Sequence, residues 1–170
     1  MAAEGADDDA RPVAGFFGKL PTIGDFVDRG LPPGFRRQWD RWLTSHIAPR
    51  ARAGARFPPG GLRFKLVSGG AAVGGVILPS HDSVGRVYPL SLLVIARGGM
   101  AREAIDRWCD AALAGFDPAV EPDGLWAALD ALAPPEVLQD VGKPCLWLWS
   151  SDLAPAEFTE TGPLLGKLLP

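Results

Sequence analysis

Glycine and proline restrict the fold of this sequence more than any other feature. The chain of 170 residues contains 21 Gly and 17 Pro, about 22% of the total where roughly 12% is usual. Proline breaks helices and glycine weakens helix and strand interiors, so this content excludes a bundle of long helices. It predicts many short elements joined by ordered turns. Hydrophobic residues make up 47% and charged residues 22%, which excludes general disorder.

Charge and cysteine content limit the classes of partner and compartment. The net charge is −3, and without a basic block the chain is not expected to bind nucleic acid. Cys109 and Cys145 are expected to be reduced thiols rather than a disulfide framework. Residues 1–12 are acidic and lack the apolar stretch of a signal peptide, so they are predicted to be a disordered tail before a single domain over 13–170. No apolar run reaches membrane-spanning length, and a cytoplasmic protein is predicted.

Apolar patterning predicts the order strand, helix, three strands, two helices, strand. In the first helix, apolar residues recur at helical spacing from Phe35 to Ile47, and Asp123 is expected to N-cap the third. Short connections favour antiparallel neighbours among the three central strands. The predicted class is α/β, a single-domain α/β sandwich with a mixed, largely antiparallel sheet flanked by helices. The predicted strands are 14–20, 62–67, 73–78, 88–96 and 145–150, and the predicted helices are 35–47, 101–116 and one from 123.

Motifs for catalysis and metal binding are absent from the sequence. Only two residues separate Gly15 from Gly18, and Lys19 is followed by leucine, so the segment does not fit a phosphate-binding loop. His46 and His81 lack further ligands at metal-binding spacing. There is no Gly-x-Ser-x-Gly elbow and no cysteine beside a basic residue. The chain is therefore expected to be a non-enzyme with no cofactor and no metal.

Residues 18–29 form the first of two loops whose residues have specific turn roles. Gly18 and Gly24 permit positive φ, and Pro21 fixes φ. Asp25 can accept backbone N–H groups in a tight turn.

Residues 78–89 form the second loop. Asp82 and Ser83 suit an Asx or Ser turn, Gly85 suits a left-handed corner, and Arg86 has five donors for a carboxylate or for carbonyls. One interpretation is that Arg86 pairs with Asp25 or Asp82 and braces the two loops together. The other is that the loops form a shaped polar ledge for a partner.

The two loops also carry a family resemblance. The segments GFFGKLPTIGDFVDRGLP at 15–32 and GGVILPSHDSVGRVYPLSLLV at 74–94 resemble, in the same order, two signatures of the TagF (ImpM-type) proteins of bacterial type VI secretion systems. The resemblance covers roughly 13–150. Residues 50–61 depart from it by being compressed and rich in Pro, Gly and Arg, and the acidic leader is extra.

The resemblance implies a non-enzymatic, post-translational repressor of type VI secretion that acts through protein–protein contacts. The implied partner is the system's forkhead-associated-domain scaffold, with recruitment to the inner-membrane face of the apparatus but no membrane insertion. Two alternatives remain open: a small enzyme or nucleotide-binding regulator using Lys19, Asp25, Asp82 and Arg86, and a structural subunit of the secretion machine. The oligomeric state and the binding surface are not predicted. The signature residues are Gly18, Lys19, Pro21, Gly24, Asp25, Phe26, Pro79, Ser80, Asp82, Gly85, Arg86 and Pro89.

Overall fold

The computed structural model describes residues 11–170. The predicted tail over residues 1–12 lies almost wholly outside the described residues and stays a prediction. The strands are β1 (Val13–Gly18), β2 (Val27–Arg29), β3 (Leu62–Ser68), β4 (Ala71–Leu78), β5 (Leu90–Ala96), β6 (Cys145–Trp149) and β7 (Ala156–Glu157). The helices are α1 (Pro33–His46), α2 (Ala48–Arg52), α3 (Arg102–Ala114), α4 (Pro122–Asp130) and α5 (Leu164–Leu168).

The seven strands form one sheet in the order β2-β1-β5-β4-β3-β6-β7. All six neighbouring pairs are antiparallel. The consecutive strands β3, β4 and β5 lie side by side, as short connections predict. This arrangement confirms the predicted α/β class, and its sheet is antiparallel throughout these strands.

Alternating side chains place a hydrophobic core on each face of the sheet. Phe16 packs with the residues of α3 and α4, whereas its neighbour Phe17 packs with those of α1, α2 and α5. Both phenylalanines are fully buried. Two glycines of β4 make room for these layers, since a Cβ at Gly74 would lie 2.6 Å from Ile105 and one at Gly75 would lie 2.2 Å from a backbone oxygen.

Several predicted boundaries are confirmed within two residues, and others are wrong. Asp123 is not the N-cap of α4, because the cap position belongs to Glu121 and no side-chain cap bond forms there. Proline after α1 predicts that the helix ends by Pro49, and α1 does end before it, but a second short helix follows at once. After the break at Ile47, Pro49 lies in the first turn of α2, where its missing N–H costs no hydrogen bond. The first residues of the segment 50–61, which its Pro, Gly and Arg content would favour as a linker, are therefore helical.

The C-terminal segment docks against the α1 side of the sheet. The apolar residues of α5 and the leucine after it are buried. The backbone N–H of Arg56 donates to the carbonyl of Pro170 at 3.4 Å. The segment therefore completes the second core rather than extending into solvent.

Candidate functional site

The first loop leaves the sheet at Gly18, where backbone geometry requires glycine. Gly18 has φ of 143°, and a Cβ there would lie 2.1 Å from the carbonyl oxygen of Pro89. Next, the N–H of Ile23 donates to the carbonyl of Leu20 at 3.1 Å, closing a turn with Pro21 at the position that favours proline. The loop is thus fixed in direction before it reaches the surface.

The second loop is built around the carboxylate of Asp82. Its Oδ1 accepts the backbone N–H groups of Val84 at 3.1 Å and Arg86 at 2.9 Å. Gly85 forms the corner with φ of 86°. The Asx turn and left-handed corner predicted from the sequence are both confirmed.

Two cations converge on the other oxygen of the same carboxylate. Lys19 Nζ lies 2.9 Å and Arg86 Nε 2.7 Å from Asp82 Oδ2. The side chain of Asp82 is 0% exposed and that of Lys19 only 8%, whereas that of Arg86 is 62% exposed. Burial acts to raise the pKa of Asp82, but the hydrogen bonds from Lys19 and from Arg86 and Val84 outweigh it and hold that pKa well below its ordinary value. Asp82 is therefore an ionised, buried anchor between the two loops.

Backbone contacts tie the loops together beside this anchor. The N–H of Ser83 donates to the carbonyl of Ile23 at 2.9 Å, and Ser80 Oγ donates to the carbonyl of Lys19 at 2.7 Å. The guanidinium of Arg86 also donates to the carbonyl of Gly24. These bonds confirm the bracing interpretation of Arg86, with Asp82 rather than Asp25 as its carboxylate partner.

The rings of Phe17, Phe26 and Tyr88 pack together at the base of the first loop. The ring of Phe26 lies 4.8 Å from that of Tyr88, edge to face, and 6.1 Å from that of Phe17. Lys19 Nζ lies 5.0 Å from the centre of the Phe26 ring. The Tyr88 hydroxyl donates to Asp40 Oδ1 at 2.9 Å, which connects the rings to α1. Burial and this carboxylate raise the pKa of Tyr88 above its ordinary value.

Above the anchor, the two loops present apolar side chains to solvent. Val84 is 71%, Phe26 41% and Val87 38% exposed. We call the exposed residues of 24–26 and 83–87 the two-loop ledge. Arg86 extends through it, so the ledge combines apolar contact area with one guanidinium.

The structure brings some predicted site residues together and separates others. Lys19, Asp82 and Arg86 form one cluster. Asp25 stays outside it, exposed and accepting only the neighbouring N–H of Phe26 at 2.7 Å. The positive φ expected at Gly24 is wrong. Of the remaining signature residues, Pro79 is exposed, Ser80 half-buried and Pro89 buried.

Three residues of the site were not among those predicted from the sequence. Val84 and Val87 are apolar, so a search for polar ledge residues passes over them. Tyr88 is the only tyrosine of the chain, and this single amphipathic ring was the signal that could have identified it as a site residue. Its hydroxyl had to be paired if its ring was buried.

Residues 11–170 offer no second candidate among metal clusters, membrane spans or disulfides. That part of the chain has no cluster of three or more His, Cys, Asp or Glu arranged for a metal ion. None of its helices combines the length and apolar character needed to cross a membrane. Cys109 and Cys145 are both free thiols.

The chain is thus an antiparallel α/β domain with two braced loops, and its sequence places it among the type VI secretion system-associated proteins. The chain belongs to the TagF N-terminal domain family, type VI secretion system-associated, whose model matches residues 15–132. The match includes both loops of the ledge. A comparison with curated proteins found no match.

A solved structure supports the fold independently. The chain is similar to PA0076 from Pseudomonas aeruginosa PAO1, with a TM-score of 0.65 and 23% sequence identity. The match covers 92% of this chain and 93% of that one. At this identity the likeness shows the fold, and it covers more of the chain than the family match over residues 15–132 does.

Proposed function

We propose that the chain is a non-enzymatic regulator of type VI secretion that represses the system after translation by binding one of its components at the two-loop ledge. The proposed component is the forkhead-associated-domain scaffold, and the proposed place of action is the cytoplasmic face of the apparatus. One observation carries the proposal: apolar side chains stay exposed on two loops that a buried ion pair and cross-loop hydrogen bonds tie together. Such loops lie within the family's matched region.

The preorganised ledge lowers the free-energy cost of binding a partner. Ordering a mobile loop on a partner costs free energy, and a preorganised loop avoids that cost. An aromatic residue and an arginine are the types that most often dominate interface energies. Phe26 and Arg86 are both held in place before any partner arrives, by Tyr88 and Asp82 respectively.

The bonding pattern also favours bracing over a catalytic or nucleotide-binding role for this cluster. A catalytic group needs a free position toward its substrate. Lys19 and Asp82 are instead buried and bonded to each other, and the exposed carboxylate of Asp25 lies outside their cluster.

Binding of the purified scaffold, measured by biolayer interferometry, tests the ledge. Val84→Asp and Asp25→Ala change exposed ledge side chains and keep the backbone N–H of Val84 and the two cations that bind Asp82. Val13→Asp is the matched control, because Val13 is also exposed, at 48%, but starts β1 at the opposite end from Gly18. We expect Val84→Asp to weaken binding about tenfold or more and Val13→Asp to leave it unchanged. Unchanged binding by folded Val84→Asp and Asp25→Ala would remove the ledge from the interface.

A secretion assay tests the direction of regulation. Deleting the gene should increase secretion of type VI substrates while transcript and protein levels of the apparatus stay constant. Lost secretion, with the chain co-migrating with the assembled machine, would instead identify a structural subunit. A nucleotide that raises the melting temperature through the Lys19 cluster would favour the nucleotide-binding alternative.

A further inference from the structure

Charges are segregated between the two helical layers of this protein. Residues 33–57, which contain α1 and α2, hold six arginines and a single acidic residue, Asp40. Residues 102–130, which contain α3 and α4 on the other face of the sheet, hold seven acidic residues and two arginines. The chain as a whole is mildly acidic, so this basic layer is a local feature that the net charge conceals.

Four arginines of the basic layer are exposed and have no ion-pair partner within residues 11–170. Arg37 and Arg41 are one helical turn apart on the outer side of α1, since Trp39 and Leu43 face the core. Arg36, by contrast, is paired with Asp28 at 2.9 Å. We call the four exposed arginines the basic face: Arg37, Arg41, Arg52 and Arg56.

The helix α1, which carries Arg37 and Arg41 of the basic face, packs beside the two-loop ledge. The Arg36 guanidinium carbon lies 5.4 Å from the centre of the Phe17 ring, and that ring stacks on the ring of the ledge residue Phe26. Tyr88 bridges the same two regions, because its ring contacts Phe26 and its hydroxyl bonds to Asp40 of α1. A partner on the ledge therefore comes within reach of the arginines of α1.

The chemistry of the basic face indicates which class of negatively charged partner it binds. All four cations are arginines, whose planar guanidinium binds carboxylates in pairs of hydrogen bonds. No large hydrophobic residue is exposed within 33–57, and insertion into a lipid interface needs bulky apolar side chains. Nucleic-acid-binding domains are generally strongly basic overall, whereas this chain has an isoelectric point near 5.3. A protein surface rich in Asp and Glu fits better than a membrane or a nucleic acid.

We propose that the basic face binds a carboxylate-rich surface of the same partner that occupies the two-loop ledge. This inference rests on the proposed function and adds the charge of the partner to it. The ledge supplies apolar contact area, and the arginines steer the approach. Their contribution should therefore appear mainly in the association rate and its dependence on salt.

The test compares two double variants with the same change in net charge. Arg37→Glu/Arg41→Glu reverses the basic face. Arg107→Glu/Lys143→Glu reverses two exposed cations outside it, one of them on α3. Association rates with the scaffold are measured from about 50 mM to about 500 mM salt, a range over which screening becomes nearly complete. We expect the basic-face variant to associate about tenfold more slowly at low salt and to lose most of its salt dependence. The control variant should resemble wild type.

A second probe separates this inference from the proposed function. A fluorescein-labelled oligoglutamate peptide should bind wild type and the control variant at low salt, and should bind the basic-face variant at least about tenfold more weakly. If the scaffold fails to bind wild type while the peptide shows this pattern, the scaffold assignment is wrong and the acidic-partner inference stands. If the scaffold binds and both double variants associate alike, the proposed function stands and the inference is wrong.

Three further results would also overturn the inference. One is equal peptide binding by both double variants. Another is face-dependent binding to phosphatidylglycerol vesicles or duplex DNA that is tighter than binding to the peptide or scaffold. The third is a low-salt dimer that the basic-face variant abolishes, because it would assign the face to the acidic layer of a second copy of this chain.

Discussion

Replacing Lys19 by methionine tests whether the buried ion pair holds the two-loop ledge together. Methionine has similar length but no charge, so the Asp82 carboxylate stays buried with only Arg86 and two backbone N–H donors. Breaking a buried ion pair is strongly destabilising. Because Asp82 keeps its remaining donors, we expect a loss of stability near the lower end of the range for such pairs. We expect the melting temperature of a chain of this length to fall by roughly 5–10 °C.

The dependence of this effect on pH identifies its cause. The pKa of Asp82 is lowered in the folded state, so its interactions contribute stability above the ordinary carboxyl pKa and lose it as pH falls toward the lowered value. The variant has lost one of the donors that lower this pKa, so acid should cost it less stability than wild type. The gap in melting temperature should be constant from about pH 7 to about pH 5 and shrink below about pH 4.

Circular dichroism melts of both proteins across this pH range provide the measurement. Lys65→Met is the matched control, because Lys65 is a half-buried strand lysine with no ion pair in the described part of the chain. It should melt within roughly 2 °C of wild type. The reasoning is refuted if Lys19→Met behaves like this control, or if its gap from wild type persists unchanged at about pH 2.5.

Three further predictions concern single positions. Gly18→Ala should destabilise the fold by at least about 2 kcal/mol in urea titrations, because of the backbone clash and positive φ. Gly34→Ala, with no atom within 4 Å of its Cβ, should be neutral or stabilising. Equal effects of the two substitutions would contradict the geometry. Tyr88 is the only tyrosine, and burial and Asp40 raise its pKa. Absorbance at alkaline pH should therefore show no phenolate until well above about pH 10, and stability should fall as pH rises past that value. Ionisation of Tyr88 near its ordinary pKa would refute its burial. Burial raises the pKa of Cys109 to about 12, so in the folded protein a thiol reagent should react rapidly only with half-buried Cys145. Cys145→Ser should abolish this fast reaction, and two rapidly reacting thiols in the wild type would contradict the burial of Cys109.

Sequence reasoning succeeded where local signals were strong. The apolar stripe of α1 and the buried runs of β4 and β5 predicted those elements, because periodicity reports which face is buried. The turn residues of both loops were assigned correctly at Pro21, Asp82 and Gly85, because each turn type demands a particular residue. These successes cover the centre of the sheet and the local shape of the ledge.

The remaining elements depend on contacts that a local pattern does not encode. β2 and β7 have three and two residues, and α2 and α5 have five each. Elements this short are unstable in isolation and form only where tertiary contacts support them. The same limit applies to the site. Lys19 and Asp82 were both named as candidates, but 63 residues separate them, and only the fold shows that they pair.

The double pairing of Asp82 connects the ledge to the charge of its partner. A carboxylate held by one cation alone cannot release it without becoming a buried, uncompensated charge. Asp82 also has Lys19 and two backbone N–H donors, so it is not left uncompensated when the guanidinium of Arg86, still bonded through Nε, shares its other N–H groups with a partner. Arg86 is therefore able to bind a partner carboxylate while the anchor beneath it remains satisfied. We infer that Lys19 fixes the ledge and Arg86 serves the interface, so Arg86→Ala should slow association with an acidic partner while lowering the melting temperature less than Lys19→Met does.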